Sequence, residues 1–306
     1  MKVITNIRKM QEFSRQVRGA GLRIGFVPTM GYLHEGHVEL VRHAREHSDV
    51  VVVSIFVNPA QFDRKDDFDR YPRDEQGDIA LLEHEGVEVL FMPKAEEVYA
   101  PGAATRVRVE GLTDGLCGPR RPGHFEGVAT VVAALLNMVG PDRAWFGEKD
   151  YQQLQVIRRM VSDLHIPVEI IGVETVREPD GVAMSSRNAR LTQEQREIAP
   201  VIRRALCAMA DGYLAGETSA VRLTDTARAV LATQPDVRLE YLEVVDGASL
   251  KGVERADDHT VIAIAAWLGD VRLIDNIVLS RVREHADVPS AAAVPTHIHG
   301  GANPHA

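Results

Sequence analysis

The chain has 306 residues, 45% hydrophobic and 26% charged, and 35 basic against 44 acidic side chains give a net charge of −9. That balance belongs to a folded globular protein of about two domains. It excludes long disorder over most of the chain and argues against a general nucleic-acid binder, which would carry a basic face. The apolar run at 50–57 is far shorter than the roughly 20 residues a bilayer requires. The opening MKVITNIRKM has basic residues but no apolar core of a secretory leader, and the two cysteines, Cys117 and Cys207, cannot build a disulfide framework. A cytoplasmic protein is expected.

In chain order, residues 22–27 form a short apolar run ending at Pro28, a strand. Val38, Leu40, Val41 and Ala44 recur at helical spacing across 37–47. The β-branched run at 50–57 is a strand stopped by Pro59. A helix is predicted over 73–84, a strand over 87–91, helices over 125–139 and 151–164 around a strand at 143–146, and a further strand over 168–173. This β-α-β rhythm predicts an α/β fold, a parallel sheet with helices on both faces, whose ligands sit beyond the carboxyl ends of the strands. After about Thr175 the rhythm changes to helices over 193–215 and 219–233, then antiparallel strands over 237–245, 261–268 and 271–278. The predicted organisation is therefore a domain over 1–175, a smaller α+β domain over 176–285 and a disordered tail over 286–306. His297 and His299 fall in that tail and are read as part of it rather than as a metal site.

Four loops carry candidate chemistry. The first, PTMGYLHEGH, follows a strand and enters a helix. His34 and His37 share one face of the first turn, and Gly36 between them lets a ligand approach the backbone. A helix N-terminus with two imidazole donors favours phosphate, although two surface histidines beside a turn would read the same way in isolation. The second loop, NPAQF, places Asn58 and Gln61 where amides can orient a polar substrate, or where Asn58 merely caps a turn. The third, GEKDYQQ, offers Lys149 as a point charge for phosphate, Asp150 for a ribose hydroxyl or a helix cap, and Gln153 one turn on. The fourth, PDGVAMSSRN, is rich in donors at Ser185, Ser186 and Arg187 and suits a leaving diphosphate, as a closing flap or as a polar linker. Arg121 and His124, in GPRRPGHF, can face the same site or solvent.

Neither a GxxxxGK[ST] loop nor a GxGxxG fingerprint is present. The paired-histidine and Met-Ser-Ser-Arg loops resemble the nucleotidyltransferase superfamily with His-x-Gly-His signatures. The stretches PTMGYLHEGH, SIFVNPAQF, YPRD, GPRRPGHFEGVATVV, FGEKDYQQL and REPDGVAMSSRN resemble, in order and spacing and over about 1–280, the pantothenate synthetase (pantoate–β-alanine ligase) family. The resemblance implies a Rossmann-like parallel-sheet domain with an α+β lid, and an AMP-forming carbon–nitrogen ligase of pantothenate biosynthesis. ATP activates (R)-pantoate as pantoyl adenylate, and β-alanine then displaces AMP. It implies that Met30, Gly31, Tyr32, Leu33, His34, Glu35, Gly36 and His37 line the ATP site. His34 and His37 would bind phosphates, and His37 is the family's assigned proton donor, a role read here as mainly transition-state stabilisation. Gly147, Glu148, Lys149 and Asp150 would form the second nucleotide segment, Val176 a backbone contact to adenine, and Met184, Ser185, Ser186 and Arg187 the third. Gln61, Gln153 and Asn58 would serve the substrates. Mg²⁺ is expected with the nucleotide, with Asp78 as the candidate protein contact, and a homodimer is implied. Tyr32 departs from the small or polar residue often found there. A nucleotidylyltransferase, a non-catalytic nucleotide-binding regulator and a tRNA synthetase fit less well, because the pocket amides, the intact His34, His37 and Lys149, and the short acidic chain speak against each in turn.

Overall fold

The computed structural model describes residues 1–286, with side chains described to residue 282. The expected tail, with His297 and His299, lies outside the described residues. The chain opens with β1 (Lys2–Ile4) and α1 (Ile7–Gly19), followed by β2 (Ile24–Thr29), α2 (Glu35–His47) and β3 (Val50–Ile55). Next come the short α3 (Lys65–Asp69), α4 (Glu75–His84), β4 (Val89–Phe91) and the short α5 (Ala95–Val98). Then follow α6 (His124–Val139), β5 (Arg143–Gly147), α7 (Tyr151–Asp163) and β6 (Glu169–Val173).

These six strands form one sheet in the order β1-β4-β3-β2-β5-β6, all neighbours parallel. Val50 to Val53 are all buried, as a central parallel strand covered on both faces requires. From β2 the chain moves outward through β3 and β4. It returns along α6 to β5, on the other side of β2, and leaves toward β6. Connections departing β2 and β5 in opposite directions open a crevice above their carboxyl ends. Contrary to the sequence reading, β2 runs through Pro28 to Thr29. The Thr29 carbonyl takes the Phe56 amide at 3.0 Å on the β3 side, so the nitrogen of Pro28 points toward β5. β5 pairs only Gly25 and Phe26, so the missing N–H breaks no ladder bond.

The remainder comprises α8 (Gln193–Ile198), α9 (Pro200–Leu214), α10 (Ala220–Leu231), the antiparallel sheet β7 (Val237–Asp246), β8 (Thr260–Leu268) and β9 (Val271–Val278), and α11 (Leu279–Ala286). The single helix expected over 193–215 is two, because Pro200 cannot donate into the ladder and starts a new helix at its first turn. β8 is buried on both faces. Val261, Ala263 and Ala265 join the core that also holds Phe125, Val128 and Leu154 of α6 and α7. Ile262, Ile264, Ala266 and Leu268 join a second core with α9 and α10. No helix among the described residues is long and apolar enough to cross a membrane.

Candidate active site

The loop between β2 and α2 borders the crevice through Met30 and His34. Thr29 Oγ1 donates to the Ser54 carbonyl at 2.8 Å and accepts the Gly31 amide at 3.2 Å. Gly31 and Tyr32 then take left-handed backbone angles, φ +78° and +50°, an arrangement glycine tolerates freely and tyrosine does not. The turn aims the amides of Tyr32 and Leu33 at the two oxygens of Asp78, at 2.8 and 2.7 Å. Asp78 thus anchors the loop from α4, as a carboxylate seated on successive N–H groups. The expected metal contact at Asp78 gains no support here: both oxygens accept backbone amides, and Asp78 does not line the crevice.

The loop delivers His34 to the cap of α2. His34 Nδ1 accepts the Gly36 amide at 3.2 Å, and His37 Nδ1 accepts the His34 amide at 3.3 Å. A backbone amide only donates, so both Nδ1 atoms are acceptors and each neutral ring carries its proton on Nε2. The rings lie 4.1 Å apart. Burial, with Lys149 nearby, lowers the His34 pKa to about 4; burial, then His34 and Lys149, lowers that of His37 to about 3. Both are therefore neutral hydrogen-bond donors at pH 7. The space at Gly36, expected to admit ligand backbone contact, is also claimed by His34: a Cβ there would stand 3.0 Å from its Cε1 and Nδ1.

Gln61 lines the crevice, but Asn58 does not. Asn58 is 1% exposed, and its amide donates to Gln61 Oε1 at 3.0 Å and the Gly127 carbonyl at 3.1 Å, while its oxygen accepts Tyr99 Oη at 2.7 Å. It holds Gln61 in place, so its expected substrate contact becomes a supporting one. Gly127 permits this packing, since any Cβ would strike the Ala60–Gln61 backbone. His124 Nδ1 lies 2.7 Å from the Gln61 carbonyl, and burial with Arg121 nearby lowers its pKa to about 3.

From β5 comes the turn Glu148–Asp150. Lys149, Asp150 and Gln153 face the crevice, with Lys149 Nζ 3.6 Å from Asp150 Oδ2. Glu148 turns away to pair with Arg281. Asn276 of β9, which no local sequence pattern marks, donates to the carbonyls of Glu148 and Lys149 at 2.8 and 3.0 Å and so fixes the turn.

The fourth loop closes the wall. Val176 accepts the Met184 amide at 3.0 Å, and Ser186 Oγ donates to the Tyr32 carbonyl at 3.2 Å, bridging the first and fourth loops. One crevice thus brings together Met30, Gly36, His34 and His37 with Gln61, Gly147, Lys149, Asp150, Gln153, Val176 and Met184 to Arg187. Gly31, Tyr32, Leu33, Glu35 and Glu148 are not in its wall; Glu35 is instead exposed beside Arg42. Phe56, Tyr71, Arg121, His124, Val131 and Leu135 also line it.

The lowered histidine pKa values make stability pH-dependent. Unfolded histidines bind protons near pH 6.5, whereas folded His34, His37 and His124 do so only near pH 4 to 3. The unfolded chain therefore holds more protons in that window, and stability falls as pH drops through it. The urea midpoint is expected to decrease from pH 7 to pH 5, less steeply in His124→Gln; a midpoint constant over that range would contradict the neutral assignment.

The family described as pantoate-beta-alanine ligase matches residues 2–278. Pantothenate synthetase from Moorella thermoacetica is 50% identical over 279 residues, spanning 91% of this chain and 99% of that protein. The crystal structure of pantothenate synthetase from Thermus thermophilus superposes with a TM-score of 0.86 at 46% identity, covering 91% of this chain and 99% of that one. Pantoate-beta-alanine ligase from Francisella tularensis, solved with beta-gamma ATP and beta-alanine, superposes with a TM-score of 0.75 at 35% identity, covering 92% and 98%.

Proposed function

The chain belongs to the pantoate-beta-alanine ligase family, and on that premise we propose how its own residues divide the work. The reaction is the ATP-dependent condensation of (R)-pantoate with β-alanine to pantothenate through pantoyl adenylate, releasing AMP and diphosphate. In the first step a pantoate carboxylate oxygen bonds to the α-phosphorus of ATP, and the bond from that phosphorus to the diphosphate oxygen breaks. Negative charge grows on the phosphoryl oxygens and the departing diphosphate. No proton needs to move, so the demand on the protein is for fixed donors aimed at that charge.

His34 and His37 meet the demand as neutral Nε2–H donors at the N-terminus of α2, where the helix dipole adds in the same sense. Lys149 and Arg187 supply positive charge to the outer phosphates, with Ser185 and Ser186 beside them. Asp150 takes the ribose and Val176 the adenine edge. Gln61 and Gln153 hold pantoate, whose dimethyl carbon suits the apolar wall of Phe56, Val131 and Leu135. In the second step the β-alanine amine bonds to the acyl carbon, the acyl–oxygen bond breaks, AMP leaves and the amine gives up a proton.

Mg²⁺ fits this site as part of the bound nucleotide and there supplies neutralisation of phosphate charge. Among the described residues no group of three or more His, Cys, Asp or Glu is placed to hold a metal ion, so phosphate oxygens and water rather than a protein cage would suit it. A homodimer, a cytoplasmic location and the division at 175/176 are carried as part of the same proposal, on the family resemblance.

The supporting observation is the convergence of His34, His37, Lys149, Arg187 and the two glutamines on one crevice. The test is product analysis. AMP and diphosphate are expected only when pantoate and β-alanine are both present, with pantothenate formed in equal amount; ADP, or turnover independent of either acid, would overturn the reading.

A further inference from the structure

Arg187 is the guanidinium assigned to the triphosphate, yet its Nη2 donates to Oδ2 of Asp67 at 2.9 Å. The other oxygen of Asp67 takes Nη1 of Arg190, also at 2.9 Å. Asp67 is 19% exposed and the two arginines are 23% and 17% exposed, so this charge-assisted bridge is largely shielded from water. Asp67 lies in α3, a five-residue helix with no buried residue. A second tie joins Arg70, at the end of α3, to Asp270 at 3.1 Å, and Asp270 also takes Arg190 at 3.2 Å. That rim pair is more than half exposed on both sides and contributes little. Phe68 of α3 also packs edge-on against Phe62 with ring centres 5.2 Å apart, and the Asp67 carboxylate is the largely shielded ion pair that ties α3 to the third nucleotide segment.

A guanidinium fork accepts a carboxylate or a phosphate in the same geometry. Asp67 already takes Nη2 of Arg187, so a phosphate that grips the guanidinium through that nitrogen must displace it, and a fixed carboxylate beside a triphosphate is repulsive. We propose that Asp67 is a place-holder for phosphate: its carboxylate competes with ATP for Arg187, so nucleotide binding exchanges one anion for the other and releases the tie between α3 and the third nucleotide segment. This rests on the reading of Arg187 as a phosphate ligand. A purely positioning Asp67, which presents Arg187 to ATP, would give the opposite sign.

The experiment measures the Kd of α,β-methylene-ATP by calorimetry, and the KM for ATP with kcat, in wild type, Asp67→Asn, Asp67→Glu, Arg187→Ala and the double variant Asp67→Asn/Arg187→Ala. Asp67→Asn is expected to lower both Kd and KM by about three- to tenfold, the scale of a partly shielded ion pair. Asp67→Glu keeps wild-type values, and the gain vanishes in the Arg187→Ala background. In the wild type, amide exchange over residues 63–70 is expected to quicken when the analogue binds. A raised or unchanged Kd in Asp67→Asn, with Arg187→Ala still impaired, would overturn the place-holder and leave the Arg187 assignment standing. Unchanged exchange over 63–70 would also overturn it. An Arg187→Ala enzyme with normal Kd and kcat would overturn the Arg187 assignment itself.

Discussion

Replacing Lys149 by alanine is expected to lower kcat by at least about a hundredfold, the scale for deleting one fixed transition-state donor, while leaving the protein folded. The side chain is 17% exposed and stands in the crevice wall, near enough to His34 and His37 to lower their pKa values. Its loss acts twice. One positive charge aimed at the phosphates disappears, and Asp150 loses its nearest cation. Burial pushes the pKa of Asp150 up, but Lys149 and Arg187 outweigh that and hold it below the usual carboxylate range. Without the ammonium, the remaining carboxylate charge faces the triphosphate. The backbone of the turn should survive, because Asn276 grips its carbonyls and Arg281 pairs with Glu148, neither through the lysine side chain. Lys149→Arg should recover only part of the rate, since a planar fork is wider than an ammonium. Steady-state kcat at saturating ATP, pantoate and β-alanine, beside the thermal midpoint, decides the matter; near-normal kcat in the alanine variant would remove Lys149 from the mechanism.

His37→Ala is expected to cost a similar factor, at least about a hundredfold in kcat, by loss of a neutral donor rather than of an acid. The imidazole has its Nδ1 committed to the His34 amide, and its pKa lies near 3. At neutral pH the imidazolium of the free protein is a trace species. The pH profile of kcat/KM for ATP, which reports groups of the free enzyme, should therefore show no histidine titration between pH 5 and 8. An inflexion near 6.5 that disappears in His37→Ala would demonstrate a titrating imidazolium and reject this account. His37→Ala also removes the N3 side chain that caps the His34 amide, a loss of stability that a thermal midpoint measures separately from kcat.

The main sheet was legible in the sequence because central parallel strands are buried on both faces and must read as unbroken apolar runs, as Val50 to Val53 do. α1 was missed although Ile7, Met10, Phe13 and Val17 recur at helical spacing, because polar and charged residues fill the positions between them. β1 has three residues and carries no period. The break at Pro200 was masked by apolar residues that continue at helical spacing on its far side. In the crevice, His34, His37 and Lys149 were readable because each loop follows a strand, where the fold places ligands. Contacts that close across the chain were not readable. Asn276 reaches Lys149 over 127 positions and Asp67 reaches Arg187 over 120, and nothing local marks either. Asn58 and Asp78 were noticed as polar side chains near the site, but whether such a group faces substrate or the protein's own amides depends on which neighbours arrive.

The double burial of β8 has a mechanical consequence. With Val261, Ala263 and Ala265 keyed into the helices behind the nucleotide crevice and the alternate residues keyed into α9 and α10, swinging the three-stranded sheet as a rigid cover would unzip close-packed hydrocarbon, which interiors resist. On the place-holder proposal, the parts left to move are then α3 and the Ser185–Arg187 stretch, joined through Asp67 and Arg187.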